Sequence, residues 1–280
     1  MSGLPMNEPQ IRALLDWYKA SGIDTAEAKE PSDFTTWPRS PFRFTPKTSA
    51  EQKPPAPQAQ TKGAIDAKAP PSTDESIVLA QSLANSAGSI EALIEAISQF
   101  DGCPLKAGAR NTVVYDGVIG ADLLIIGEAP GRDEDRIGKP FVGRAGQLLD
   151  RMLTAIGQSR AQDDGLGNVC ITNSVYWRPP GNRTPTDAEK ATCLPFLRKF
   201  IELSQPKVMV LTGNVSTQSL FPGAPGITRS RGQWREWPLS SNETVPVMPI
   251  FHPAYLLRSP AQKRLAWADL LQIKKRLMSA

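Results

Sequence analysis

Glu128, Asn173, Asn214 and His252 stand at or just past the ends of short apolar runs, 121–126, 168–173, 207–212 and 245–251. These residue types suit different parts of one reaction. A carboxylate can position or deprotonate water, an amide can read a hydrogen-bonding edge, and an imidazole can donate to a developing anion. His252 is the only histidine in the 280 residues. No lysine joins the group, which argues against Schiff-base chemistry. The first of the following loops, Gly127-Glu128-Ala129-Pro130-Gly131, lacks both the GxGxxG and the GxxxxGK[ST] spacing, and Pro130 removes a backbone donor that a phosphate cradle would use. An enzyme built around a nucleotide cofactor is therefore disfavoured.

The elements that must hold these residues follow from hydrophobic patterning. Near-continuous apolar runs separated by helix-length segments predict a parallel sheet covered on both faces, where ligands bind beyond the carboxyl ends of the strands. The expected fold class is α/β: a Rossmann-like three-layer αβα sandwich with a central, mostly parallel four-stranded sheet. Segment 77–87 reads as a helix stopped by Gly88, Ser89 caps a second helix, and a closing helix follows Ser259-Pro260. Residues 1–28 form an expected N-terminal helical segment with Ile11, Leu14, Leu15 and Tyr18 on one stripe. Residues 29–72, rich in Pro, Ala, Gln, Lys and Thr, read as a disordered linker, and 73–280 as the catalytic domain. The net charge of +4 fits a polyanion partner without requiring one. The absence of an 18-residue apolar run and of a signal-peptide pattern predicts a cytoplasmic protein without membrane contact. Three scattered cysteines do not make a disulfide framework.

Several stretches carry a resemblance. Gly127-Glu-Ala-Pro-Gly131, continuing through Glu134-Asp135 to Gly138-Lys-Pro-Phe-Val-Gly143 and Ala145-Gly146-Gln-Leu-Leu-Asp150, resembles the first motif of the family-4 uracil-DNA glycosylases. Thr172-Asn173, Arg178-Pro-Pro-Gly-Asn-Arg183, Arg231-Gly232 and His252-Pro-Ala-Tyr-Leu-Leu-Arg258 resemble the later motifs in the same order, from about Phe100 to the C-terminus.

The resemblance implies a monofunctional glycosylase that extrudes deoxyuridine from DNA, hydrolyses its N-glycosidic bond and leaves an abasic site. It implies that Gly127, Phe141, Asn173 and Asn182 bind uracil, with Phe141 stacking on the base and Asn173 reading its edge. It implies His252 as the donor to uracil O2 and Glu128 as the residue handling water, with Glu134 as second choice, since the place held by Asp in other branches is Ala129 here. Arg183, Arg231 and Arg258 are the expected phosphate contacts among many basic residues around the motifs. Tyr255, Leu256 and Leu257 offer an apolar wedge for the space left by the flipped base. The partner is uracil-containing DNA, the protein is expected to be a monomer, and the N-terminal helix is a candidate contact for another repair protein. A non-catalytic DNA-binding relative and a glycosylase for another deaminated base are the rival readings.

One departure concerns a cofactor. The family holds a [4Fe–4S] cluster on four cysteines, and the matching positions here are Phe100, Cys103, Trp177 and Cys193. With two ligands missing, the expectation is a variant without cofactor or metal in which Phe100 and Trp177 fill the vacated volume. Cys170 falls inside a strand and reads as core.

Overall fold

The computed structural model describes residues 72–161, 165–239 and 243–279. The helical segment expected at 1–28 and nearly all of the linker expected at 29–72 lie outside the described residues. Helix α1 (Thr73–Ser86) starts in a capping box: Ser72 Oγ accepts from Glu75 N–H, and the Glu75 carboxylate accepts from Ser72 N–H at 2.8 Å. Helix α2 (Ile90–Gln99) is capped by Ser89, as its sequence predicts, and buries Ile90, Leu93 and Ile97.

The sheet is ordered β1 (Tyr115–Gly117), β4 (Gly167–Asn173), β2 (Leu123–Gly127), β5 (Val208–Thr212), β7 (Thr244–Ile250) and β6 (Arg235–Pro238), with the short β3 (Gln158–Ser159) pairing at the start of β4. The four strands anticipated from apolar runs form the parallel centre. The antiparallel edges β1 and β6 were not anticipated. Tyr115–Gly117 is half-buried throughout, and Arg235–Pro238 buries only Trp237, so neither carries an apolar signature. Pro238 is acceptable because an edge strand can forgo a ladder donor.

Strand residues alternate between two cores. Leu124 and Ile126 of β2 pack with α1, α2 and α5 (Asp187–Ser204), whereas Leu123 and Ile125 pack with α4 (Arg144–Ala155) and α9 (Lys263–Leu277). Helices thus cover both faces, the three-layer arrangement expected. The register sets Gly127 opposite Asn173 and Thr212 opposite Ile250, so the four central strands end at one level. Among the described residues no helix is long and apolar enough to cross a membrane.

The first core contains an aromatic group at its centre. Phe100 meets Phe196 edge-on at 5.1 Å and lies 6.4 Å from Trp177, whose indole N–H donates to Thr112 Oγ1 at 3.0 Å. Phe100, Trp177 and Phe196 are all essentially inaccessible. Their burial joins α2, α5 and the chain following β4. Trp177→Ala is expected to destabilise the protein by about 3–5 kcal/mol, read as a lowered denaturant midpoint. A loss below about 1 kcal/mol would mean that the site collapses around the deletion and that the indole is not a central support.

Candidate active site

The strand ends open into a cleft of about 610 Å³ lined by Glu128, Phe141, Asn173, Asn182, His252 and Arg258, among others. Its floor is tight. A Cβ on Gly127 would lie 2.2 Å from Asn173 Oδ1 and 2.5 Å from the Phe141 ring, so only glycine lets these two side chains close over the end of β2.

Glu128 follows directly. Its carbonyl accepts from Ser174 Oγ at 2.7 Å and Val175 N–H at 3.2 Å, which ties the chain after β2 to the chain after β4. Its carboxylate accepts no hydrogen bond from the described residues and faces the cleft. Burial lifts its pKa above the usual carboxylate range, and the positive charge of Lys190 offsets part of that rise. Lys190 was not anticipated near the site, because it lies in the first turns of α5 and nothing in the sequence links it to Glu128.

Glu134, the second residue expected to handle water, is otherwise engaged. It sits in α3 (Arg132–Ile137), where its carboxylate accepts from Gly131 N–H at 3.1 Å and from Val142 and Gly143 N–H, both at 3.0 Å. Three backbone donors make it a brace for the loop that carries Phe141. Phe141 itself adopts φ 53°, a left-handed conformation that costs a bulky residue on the order of 1 kcal/mol or more. The ring belongs to the second core and stacks against His252, with centroids 5.6 Å apart and planes 27° apart.

Asn173 ends β4 and is 2% exposed, yet its side-chain amide has no hydrogen-bond partner among the described residues. An amide shielded from bulk water and left open toward a cleft is suited to a ligand that supplies both a donor and an acceptor. Asn182 lies at the exposed rim, at φ 56°, and its Oδ1 accepts from Arg178 Nε at 2.7 Å. It lines the same cleft as Asn173, with its acceptor engaged by Arg178.

His252 caps α8 (Pro253–Arg258), its Nδ1 accepting from Ala254 N–H at 3.1 Å. That bond assigns the proton of the neutral ring to Nε2, leaving Nε2–H as its donor. Burial, reinforced by the positive charge of Arg258, pulls the imidazole pKa down to about 4. The ring is therefore neutral at physiological pH. Gly213, at φ 91°, allows the chain after β5 to pass beside it; a Cβ there would lie 3.1 Å from His252 Cβ.

The three expected phosphate contacts divide. Arg258 is exposed, lines the cleft and has no ionic partner among the described residues. Arg183 also lines the cleft but forms a bidentate pair with Glu189, at 2.8 and 2.7 Å, and donates to Thr184 O. Arg231 is not among the cleft-lining residues. Its Nε donates to Asp269 Oδ2 at 2.8 Å, its Nη2 contacts Asp269 Oδ1 and Leu265 O, and its guanidinium lies over the Phe251 ring. A cation buried against its own carboxylate joins α9 to the preceding chain and is not free for a phosphate. Arg132, exposed on the cleft and without an ionic partner among the described residues, has the freedom that Arg231 lacks. The expected wedge also narrows: Leu256 is fully buried and Tyr255 packs on Phe251 at 5.0 Å, which leaves Leu257 only partly covered.

The residues at the expected cluster positions do not fit an iron–sulfur group. Such a cluster needs four thiolates. Cys103 and Cys193 hydrogen-bond each other, which together with burial holds the Cys193 thiol well above its usual range while the contact draws Cys103 down. Phe100 and Trp177 occupy the remaining space, and a Cβ on Gly102 would lie 2.4 Å from the Phe100 ring. Among the described residues no three His, Cys, Asp or Glu side chains are grouped to hold a metal ion. Cys170 lies in β4, buried, its pKa pushed up to about 12 by loss of solvent.

A sequence model described as the uracil DNA glycosylase superfamily matches residues 114–271. The type-4 uracil-DNA glycosylase of Thermotoga maritima is 37% identical over 188 residues, covering 66% of this chain and 93% of that protein. The type-4 enzymes of Sulfurisphaera tokodaii and Pyrobaculum aerophilum are 35% and 36% identical over 192 and 185 residues, covering 67% and 65% of this chain and 84% and 91% of those proteins. The matched region contains every element that forms the cleft, and the chain belongs to the uracil-DNA glycosylase superfamily, alongside its type-4 members.

Proposed function

We propose that this cleft receives uracil flipped out of DNA and hydrolyses its N-glycosidic bond, releasing the free base and leaving an abasic site for repair. The observation that carries the reading is one arrangement: a neutral imidazole with Nε2–H as its donor, stacked on Phe141, in the same cleft as the unpartnered Asn173 amide.

Each group has a role that its surroundings support. Phe141 offers a face for a planar base. Asn173 can accept from uracil N3–H while donating to O4; cytosine presents the opposite pattern on that edge, so a fixed amide would leave buried groups mismatched at about 1–3 kcal/mol each. When the C1′–N1 bond breaks, its electron pair moves onto the base and negative charge builds on O2, where the His252 donor stabilises it. Water then adds to C1′ and loses a proton. Glu128 is the residue we assign to orient that water and take the proton, because its carboxylate is unengaged and its raised pKa makes it the better base. Glu134 braces the loop and has no part in bond breaking. Arg258 and Arg132 are the cations free to hold phosphates flanking the flipped nucleotide, while Arg183, shared with Glu189, shapes the rim with Asn182.

No step of this chemistry requires a metal. We infer that the protein holds no four-thiolate cluster, the aromatic filling and the paired thiols being the support.

The test is release of uracil from a uracil-containing single-stranded oligonucleotide, scored by alkaline cleavage at the abasic site, with iron measured in the same preparation. The wild-type protein is expected to release the base without stoichiometric iron, and His252→Ala to be slower by about 10²–10³-fold, the usual loss for one oxyanion donor. Retained DNA binding with no release from any uracil substrate would replace the enzyme by a DNA-binding protein.

The buried imidazole also gives a stability signature. The folded ring takes a proton only near pH 4, whereas the ring in the unfolded chain takes one near 6.5. Between these values the unfolded state binds more protons, so this group's contribution to stability is present at neutral pH and lost as pH falls. The unfolding free energy of wild type minus that of His252→Gln should drop by about 3 kcal/mol from pH 7 to pH 4. A difference that stays constant with pH would show that the ring is not held neutral.

A further inference from the structure

The left-handed backbone of Phe141 must be imposed by its surroundings, and one residue outside every motif is placed to impose it. Arg160 follows β3 and is largely buried, its side chain 14% exposed. Its Nη1 donates to the carbonyl of Pro140 at 2.9 Å and its Nη2 to the carbonyl of Phe141 at 2.8 Å. In an extended chain successive carbonyls point to opposite sides. Two consecutive carbonyls can converge on one guanidinium here because the chain twists at Phe141, where φ is 53°.

The guanidinium is itself fixed. Nε donates to Asp150 Oδ1 of α4 at 2.8 Å, and Nη1 lies 3.2 Å from Asp116 Oδ2 of β1. Asp116 is also paired with Lys139 at 3.0 Å, one residue before Pro140. A planar fork with five donors can meet two carboxylates and two carbonyls at once, whereas an ammonium cannot. The same carbonyl is also met by α4: a Cβ on Gly146 would lie 1.7 Å from Phe141 O. Glu134 holds the next two amides. The stacking ring therefore stands on a peptide held by three neighbours, and Arg160 is the brace that spans β1, α4 and the loop.

We infer that Arg160 is a positioning residue for base capture, acting through the Phe141 backbone to set the face on which the flipped base stacks. The assignment rests on the glycosylase reading above and adds to it a residue that never touches the base.

Single-turnover uracil release is measured for wild type, Arg160→Gln, Phe141→Ala and the double variant. Arg160→Gln is expected to slow the wild type by roughly 10- to 100-fold, as for a misplaced contact, and to slow Phe141→Ala by less than about twofold. Equal losses in both backgrounds overturn the assignment, because a general loss of folded protein acts on both alike. Arg160→Lys keeps the charge without the fork and should recover little of the rate; full recovery would overturn the role of the paired carbonyl contacts. Hydrogen exchange gives a readout that needs no turnover. The Val142 and Gly143 amides should exchange faster in Arg160→Gln while those of β2 and β4 stay protected, and a uniform acceleration across the sheet would overturn the assignment. A wild-type protein that releases no uracil removes the glycosylase reading and this role with it, whereas an active wild type with additive variants removes this role alone.

Discussion

The site depends on a gap too small for a methyl group. Gly127 closes β2 directly opposite Asn173 on β4, and Asn173 Oδ1 and the Phe141 ring both occupy the space a side chain would need. With a Cβ at 127, the amide and the ring would have to separate, and the pocket would lose its reading group or its stacking face. Gly146 repeats this constraint from the other side, letting α4 lie directly on the Phe141 peptide. Close approach of backbone to side chain at Gly127 and of backbone to backbone at Gly146 turns a common parallel sheet into a pocket for a flat ligand.

Part of the charge is used within the fold itself. The sequence carries 32 lysines and arginines, which suggests a surface prepared for a polyanion. Three arginines near the motifs are nevertheless paired with carboxylates of the same chain: Arg160 with Asp116 and Asp150, Arg183 with Glu189, and Arg231 with Asp269. Breaking such a pair leaves a carboxylate with no compensating charge, so each arginine fixes the elements on either side of it. Burial lifts the Asp269 pKa to about 6 even with Arg231 pulling it down. Of the arginines that line the cleft, Arg183 is paired with Glu189, while Arg132 and Arg258 have no ionic partner among the described residues.

The legible part of the fold was the part with a periodic or compositional signal. Four apolar runs announced the parallel strands, and Ser89 announced a cap, because burial on both faces and helix initiation each demand particular residues nearby in sequence. The edge strands β1 and β6 were silent, being short and only half covered. Asn173 and His252 could be selected from position alone, since a strand end is where a ligand is reached. The left-handed turn at Phe141 could not be read, because nothing about a phenylalanine between Pro140 and Val142 signals positive φ. Arg160 was the least visible of all. Its partners lie 10, 20 and 44 residues away, and only the assembled sheet brings them to one guanidinium.

The aromatic group around Phe100 raises a question about what a metal cluster contributes to such a fold. A cluster ties chain segments together by a few strong bonds, and its loss must be offset if the same segments are to stay joined. Here the segments are the end of α2, the chain after β4 and the middle of α5, and they meet through Phe100, Trp177, Phe196 and the two hydrogen-bonded thiols. The joint is structural: it lies in the first core, whereas the cleft opens at the carboxyl ends of the strands. Packing needs no deprotonated thiolates and no iron supply, but it is less tolerant of a change in shape, since each ring fills space that its neighbours cannot close without moving. One imperfection in that fit remains at Tyr176, whose hydroxyl is buried in the same group without a hydrogen-bond partner among the described residues. An unpaired hydroxyl is a cost that a core arranged around apolar side chains alone would avoid, and it marks this joint as one whose packing is good enough to hold the fold without being the best its volume would allow.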